Sequence, residues 1–430
     1  MLKLYFQKLI KSKAFSDIFK LGSAQIFLRP FQILKSFVVA RFLGPEVYGI
    51  LKSIEIIQML NKFGNLGFKE TVIRDGIPYI TLNEKLKLKK LKNNAFSGEI
   101  ILSILLVFIG FFSSLFFDNQ LIKISIILAS LGLFTSKMFG IIKTELTLNR
   151  NFDYLSKIIL VNGILNTVFI IITVPFFNIY SVLSVPIITS LLIIFYVIYS
   201  MGIFFKFEFD KKEFKKIFKV SLPLTASTLS FGIFKYTERI LIISFFSLSI
   251  VGFFGFAETI ANIFITLFIG TVMKVRGLRV FELLSQNKYY EVNKLIIKET
   301  SFLIGLSLII LVILSAALNI LIPIILPKWT SAINIAILFS LCIPLKLISS
   351  YAIFAIKSKE LNKLKFEPIT YLISASILLI GTLILYYTKN LNIYNFIIID
   401  LIAIFFVQII TVFYYLQLIN QKIKGFKISK

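Results

Sequence analysis

Histidine is missing from the 430 residues altogether. With it go the commonest metal ligand and the commonest general acid or base near neutral pH. There is one cysteine, Cys342, so no disulfide framework or thiolate metal site can form within one chain. The phosphate-cradling patterns Gly-x-x-x-x-Gly-Lys-Ser/Thr and Gly-x-Gly-x-x-Gly are also missing, which argues against nucleotide-driven work by this chain alone. Charged residues are scarce, 16% against about 25% in soluble domains, and acidic ones scarcer still: 21 Asp and Glu face 47 Lys and Arg. What fills the chain instead is hydrocarbon. The AVILMFWYC set makes up 57% and the mean hydropathy is +0.90, which is the composition of a membrane protein and leaves no room for a large catalytic head.

A membrane crossing needs about 20 mostly apolar residues. About twelve candidate segments meet that standard: 19–43, 47–71, 96–117, 121–142, 155–177, 180–204, 218–246, 251–273, 300–325, 332–355, 366–387 and 393–418. The first, second and seventh are the most polar. The connections alternate in charge. One set, the N-terminal tail, 74–95, 142–157, 205–219, 274–298, 357–365 and the C-terminal tail, carries 34 of the 47 Lys and Arg. The opposite ends carry only Arg41, Lys123, Lys328 and Lys389. By the positive-inside bias both termini are expected in the cytoplasm, and the net charge of +26 reports topology and not nucleic-acid binding. Residues 1–16 lack the long apolar run and small-residue cleavage site of an export signal and read as a juxtamembrane helix. The lone Trp329, in the longest outward connection, is expected to anchor at the membrane interface.

The expected organisation is all-α and integral to the membrane: a cytoplasmic segment 1–18, a six-helix bundle 19–205, a cytoplasmic linker 206–217, a second six-helix bundle 218–420 and a basic tail 421–430. A weak internal repeat supports two related halves. Phe19-Lys20-Leu21-Gly22 opens the first segment as Phe218-Lys219-Val220-Ser221 opens the seventh, and hairpin turns are expected at Val47-Tyr48-Gly49 and at Val251-Gly252.

Polar residues inside apolar segments carry the functional signal. Gly22, Gln25, Arg29, Gln32 and Ser36 share one face of the first segment, with Lys35 beside it. Lys52, Glu55, Gln58, Lys62, Asn65 and Lys69 share a face of the second. Ser221, Thr225, Thr228, Gly232, Lys235 and Arg239 line the seventh, with Glu238 adjoining. Glu258, Asn262 and Thr266 mark the eighth, and Lys346 lies in the tenth. Lys52, Lys69 and Lys137 sit near segment ends, where a lysine can snorkel to the headgroups, so lipid-facing and inward-facing readings both stand for them. Arg29, Lys62, Lys235 and Lys346 lie too deep for that; four such residues facing lipid would cost on the order of 10–14 kcal/mol, comparable with a domain's whole stability. They must face protein or water. Two readings follow: a hydrated cavity with a positive wall, or internal ion pairs with Glu55, Glu238 or Glu258. A positive cavity would take an anion, such as a phosphate or acidic sugar. Glu55, Glu99, Glu238, Glu258 and Asp400 are candidates for proton or sodium coupling. No catalytic residue, metal ligand or bound cofactor is expected.

The stretch Arg41-Phe42-Leu43-Gly44-Pro45-Glu46-Val47-Tyr48-Gly49 resembles the first-hairpin signature of bacterial polysaccharide flippases, and Lys219-Val220-Ser221-Leu222-Pro223-Leu224 followed by Thr237-Glu238-Arg239-Ile240-Leu241-Ile242 is similar to their seventh-span pattern. Glu238 stands where Asp is usual there. The family belongs to the multidrug, oligosaccharidyl-lipid and polysaccharide exporter superfamily. The resemblance implies a non-enzymatic, monomeric, multi-pass transporter of the bacterial inner membrane, moving a polyprenyl-pyrophosphate-linked oligosaccharide for O-antigen, capsule or exopolysaccharide through a cationic cavity. By position, Arg29, Lys62, Lys235, Arg239 and Lys346 would be its anion contacts, and Gln25, Gln32, Lys35, Glu55, Gln58, Thr225, Thr228, Glu238, Glu258 and Asn262 would line the cavity. Implied partners are the glycan lipid, the bilayer and polysaccharide polymerase or assembly proteins. Rival readings are a peptidoglycan-precursor flippase, a multidrug or cation antiporter, and a polytopic sugar polymerase or ligase.

Overall fold

The computed structural model describes residues 13–64, 66–202, 206–269, 274–358, 361, 363 and 365–428, and these contain no strand. Most of the proposed juxtamembrane segment and the last two residues of the tail lie outside the described residues. Two helices are far too long for one crossing. Helix α1, Lys13–Gly64, has 52 residues, and a helix of that length would run about 78 Å against a hydrocarbon core of about 30 Å. It breaks at Gly44, whose φ of 68° and ψ of 170° suit a residue without a Cβ. Pro45 follows, with no N–H to carry the helix on. The helix therefore breaks at Gly44-Pro45, where the residue types of the 41–49 stretch place a helix breaker, three residues before the Val47-Tyr48-Gly49 that the repeat had suggested.

After α2 (Phe68–Thr81), α3 (Lys85–Ser114) and α4 (Gln120–Leu148) comes α5, Phe152–Met201, which breaks in the same manner at Asn178 with φ 54°. Helix α6, Lys211–Phe245, bends by 68° around Pro223. The others are α7 (Leu248–Leu267), α8 (Lys274–Ser285), α9 (Tyr289–Ile325), α10 (Ala332–Ser340), α11 (Cys342–Leu347), α12 (Ser350–Ile356), α13 (Phe366–Tyr387) and α14 (Ile393–Ile428). Among the described residues eight helical stretches are long and apolar enough to cross a membrane, or nine with the bent α6; one of them is the interrupted run Ala332–Ile356. Helix α9 shows the lipid-facing pattern most plainly. Only 11% of its apolar stretch is buried by protein, and Ile309, Val312, Ile313, Ile320 and Ile324 are all exposed.

The chain divides into two compact units: residues 1–43 with 54–225, and residues 44–53 with 226–430. In the first, Phe139, Ile142 and Leu146 of α4 pack on Leu155, Ile158, Ile193, Ile194 and Val197 of α5, while Phe68 and Val72 of α2 are sealed under Phe96, Ile141, Leu148 and Ile217. The connection ahead of α6 is docked and not a loose tether. The amides of Lys206, Glu208 and Asp210 donate to Asn93 Oδ1, Ser97 Oγ and Asn94 Oδ1 of α3, and Asn93 Nδ2 donates back to Glu208 Oε2. Three polar side chains on one face of α3 thus replace the sheet or helix partners that this extended backbone lacks. Asp210 also caps α6, accepting from the amides of Lys212 and Glu213, and pairs with Lys90 at 3.2 Å.

In the second unit the short segment 44–53 packs against α7 at backbone contact. A Cβ on Gly49 would lie 1.8 Å from the Leu248 carbonyl oxygen, and one on Gly252 would lie 2.0 Å from the Pro45 carbonyl oxygen. These glycines are packing contacts and not turns; small residues let two helix backbones approach where lipid supplies no hydrophobic drive. Lys52 lies over Gly255 one turn further on. Nearby, Trp329 is 1% exposed, with Tyr48 edge-on at 5.2 Å and Phe253 and Phe256 at 5.8 and 5.0 Å. The interfacial anchor expected of it is therefore wrong: three rings enclose the indole and seat it in the unit's interior.

Two tests follow from this packing. Gly252→Val is expected to destabilise the protein by at least about 1–3 kcal/mol, because backbone atoms must move, whereas Gly202→Asn, at an exposed left-handed position with open space around it, keeps stability near wild type; denaturant unfolding curves in detergent would separate them. The Asp210 carboxyl is held below its ordinary value by the Lys90 ammonium and the two capping amides. A lowered folded-state value means that its contribution is complete at neutral pH and is lost as pH falls below about 3.9 and through the folded value. Hydrogen exchange at the Glu208 and Asp210 amides should therefore lose protection on acidification, and Asp210→Asn should show that loss at neutral pH.

Candidate functional site

Helix α6 presents Lys235, Glu238 and Arg239 on successive turns of one face, and α7 presents Glu258 opposite them. Lys235 Nζ donates to Glu238 Oε2 at 2.5 Å and to Glu258 Oε1 at 3.0 Å, and Arg239 Nη2 donates to Glu258 Oε2. Glu258 thus bridges two cations with its two oxygens. All four side chains are buried, as is Asp400 from the third turn of α14, which is 0% exposed. Both Asp400 carboxylate oxygens lack a hydrogen-bond donor among the described residues, although Lys235 and Lys346 lie within electrostatic reach. Lys52 reaches the same group through Glu258 and sits over the Tyr48 ring at 5.4 Å. The ensemble holds Lys52, Lys235, Arg239 and Lys346 against Glu238, Glu258 and Asp400, one positive charge in excess.

In the first unit Arg29 Nη1 donates to Gln32 Oε1 at 3.0 Å, Ser36 Oγ to the Gln32 carbonyl at 2.8 Å, and Lys35 Nζ to Asn166 Oδ1 of α5 at 3.3 Å. Arg29, Gln32 and Lys35 are half-buried, so the first stripe does face protein, but only in part. Deeper in the unit, Glu99 Oε1 receives Lys137 Nζ at 3.0 Å and Lys69 Nζ at 2.9 Å, with Glu99 and Lys137 both fully buried. Neither Lys137 nor Lys69 snorkels. A carboxylate within reach in protein offsets more of the ammonium's desolvation than a long path to the headgroups would. Buried Lys52 does not snorkel either.

The remaining expected residues are scattered. Thr225 is buried and its hydroxyl donates to the Ser221 carbonyl, against which Gly67 packs. Gln58 and Thr228 are exposed and Glu55 is half-buried. The side chains of Gln25 and Lys62 lie outside the described ones. Asn262 and Lys346 border a cavity of about 390 Å³ within the second unit. Sequence reasoning named Asp400 only as a coupling candidate and overlooked Asn166; the lone acid inside Ile397–Ile404 was the available signal for the first, and the i+4 spacing from Asn162 the only one for the second.

The comparisons agree with this architecture. A family model described as polysaccharide biosynthesis protein matches residues 15–276. No curated protein matches the sequence. Among solved structures, the fold is similar to an inward-facing multidrug resistance MATE transporter of the MOP superfamily, at a TM-score of 0.70 and 15% identity over 92% of this chain and 96% of that one. It is also similar to the lipid II flippase MurJ in an inward closed conformation, at 0.73 and 17% over 94% and 90%. A MATE transporter of Vibrio cholerae matches at 0.63 and 13% over 94% and 97%.

Glu258→Gln is expected to destabilise the second unit by about 3–5 kcal/mol, since it removes the carboxylate that bridges Lys235 and Arg239. Adding Arg239→Met should recover most of that loss in thermal unfolding, because the surplus cation is then gone. An all-helical fold like that of the MATE transporter and MurJ, charges buried inside its helices and a family match over more than half the chain lead to one conclusion: the protein belongs to the polysaccharide biosynthesis protein family.

Proposed function

We propose that the protein flips a polyprenyl-pyrophosphate-linked oligosaccharide from the cytoplasmic to the outer leaflet of a bacterial inner membrane, for a surface polysaccharide such as O-antigen, capsule or exopolysaccharide. The family match over residues 15–276 carries this reading. The chemistry supports it: membrane helices hold more cations than anions, and an anionic head crossing the bilayer needs such a path. Arg29, Lys62, Lys235, Arg239 and Lys346 are the proposed anion contacts, passing the pyrophosphate and acidic sugars while the hydrocarbon tail stays in lipid. Arg29 is the foremost of these, because its hydrogen-bond partner among the described residues is the neutral Gln32. Lys235 and Arg239 are held by Glu258 and Glu238 and would meet substrate only as that group rearranges. Asp400, with Glu238 and Glu258, is the proposed seat of proton or sodium coupling: a buried carboxylate without a donor gains from capturing a cation.

The likeness to a lipid II flippase favours a second reading, in which the cargo is a peptidoglycan precursor. Both cargoes are lipid-linked pyrophosphate sugars, so the same cations would serve. A carrier of cationic drugs fits less well, because the excess charge has the wrong sign for it.

The deciding experiment supplies the chain to a strain deleted for its own polysaccharide flippase, and in parallel to cells depleted of their lipid II flippase. Restored polymer in the first strain supports the proposal; restored growth only in the second selects the peptidoglycan reading. With the intact chain active, Arg29→Ala at matched expression should lower output about tenfold or more, and Arg29→Lys by less. Wild-type output from Arg29→Ala would remove that residue from the substrate path.

A further inference from the structure

The first unit has a cavity of its own, of about 210 Å³, walled by α2, α3 and α6. Helix α2 contributes Asp75 and Tyr79, α3 contributes Lys87 and Lys90, and α6 contributes Glu213 and Lys216. Leu91, Ile217 and Val220 make its apolar floor. The docked connection explains why these helices meet: the backbone at 206–210 is bonded to α3, which lays the first turns of α6 beside it.

The depth of this cavity in the membrane follows from the helices that build it. The crossing segment of α3 begins near residue 96 and that of α6 near residue 218, while α2 follows a segment that ends near residue 71. At 1.5 Å per residue, Lys90 stands about 9 Å and Lys216 about 3 Å before the hydrocarbon. The headgroup layer is about 5–8 Å deep on each side, and a flexible lysine side chain covers the difference. The cavity thus lies at the level of the lipid headgroups, on the lysine-rich side expected in the cytoplasm.

Its charge is lopsided. Residues 74–90 and 210–219 carry ten basic side chains and four acidic ones, an excess of six positive charges. All four acids are engaged. Arg74 donates to both oxygens of Asp75 at 2.6 and 3.1 Å, Glu84 takes Lys87 at 2.7 Å, and Asp210 and Glu213 take Lys90 at 3.2 and 3.7 Å.

We infer that this cavity seats the headgroup of a phosphatidylglycerol molecule of the surrounding bilayer, its phosphate against Lys87 and Lys216 and its glycerol hydroxyls donating to Asp75 and Glu213. This lipid is a fixed companion of the first unit and not its cargo. Size selects a part of a molecule: pockets that enclose whole small ligands run to roughly 300–1,000 Å³, so this one takes a phosphate with a three-carbon polyol and has no room for an oligosaccharide. The basic excess selects an anion, and each lysine near a membrane surface adds attraction for one. The two carboxylates in the wall would repel a bare phosphate, whereas hydroxyls offer each of them a donor. The apolar floor runs on into the crossing segments, where the acyl chains lie. The site is separate from the anion contacts proposed for transport, and its test measures lipid retention and not polymer output.

That test is native mass spectrometry of the full chain released from detergent micelles, titrated with phosphatidylglycerol, phosphatidylcholine or phosphatidylmethanol of matched chains. Phosphatidylmethanol has the same charge as phosphatidylglycerol and no hydroxyl. One phosphatidylglycerol is expected to be held about fivefold or more tighter than phosphatidylcholine and about threefold or more tighter than phosphatidylmethanol. Lys216→Glu, at an exposed position, should weaken that first binding about tenfold or more. Lys422→Glu makes the same charge change at an exposed residue outside the cavity and should weaken it less than about twofold. Val220→Trp fills the floor without touching a charge and should also release the lipid. Equal retention of phosphatidylcholine or phosphatidylmethanol would overturn the assignment, as would wild-type retention by both Lys216→Glu and Val220→Trp. So would an equal loss from Lys422→Glu and Lys216→Glu, which would mean that only net charge is read.

Discussion

A charge inside a membrane protein must have a counter-charge, a donor or water, and most of what is distinctive in this chain follows from meeting that demand. Glu258 illustrates how. One carboxylate serves Lys235 and Arg239 from the neighbouring helix, and Glu238 adds a second anion beside Lys235, so that two cations, each costing about 2.5–3.5 kcal/mol in lipid, are retained. Glu99 does the same for Lys69 and Lys137 in the first unit. Each unit thus carries one acid shared between two bases.

Helix interruptions form the second theme. Gly44, Asn178, Pro223 and Pro344 each end or bend a helix that would otherwise overrun the bilayer or seal the unit's interior. The first two have left-handed or otherwise Cβ-averse backbone, and the last two lack the N–H. At Gly44 and Asn178 the break separates two lengths of apolar helix. At Pro344 the missing N–H interrupts the run Ala332–Ile356.

Much of this was legible from residue order, because bilayer thickness imposes a length and the helix imposes a period. Most predicted segments fall on a helix or on one arm of a broken helix, while 47–71 runs past the end of α1 into α2 and 332–355 covers three short helices; Glu238, Arg239 and Glu258 were singled out from spacing alone. Reading failed where the answer lay in another helix. Lys137 at a segment end looks like a snorkelling residue until Glu99 is found buried against it. Trp329 has the sequence context of an interfacial anchor, and only the approach of Tyr48, Phe253 and Phe256 turns it inward. Gly49 and Gly252 were aligned as equivalent turns. They are equivalent, but as mutual packing partners, a relation that no periodicity along one helix encodes.

The ring cage around Trp329 has a practical side. It is the chain's sole indole, it is sealed from solvent and lipid, and one of its neighbours, Tyr48, belongs to the ten-residue segment seated on α7 by glycine contacts. Ultraviolet emission from the native protein, excited beyond the tyrosine band, therefore arises from a single place. Its wavelength and quantum yield report whether that segment is in its seat, giving the wild-type chain an optical probe of one helix contact without any label.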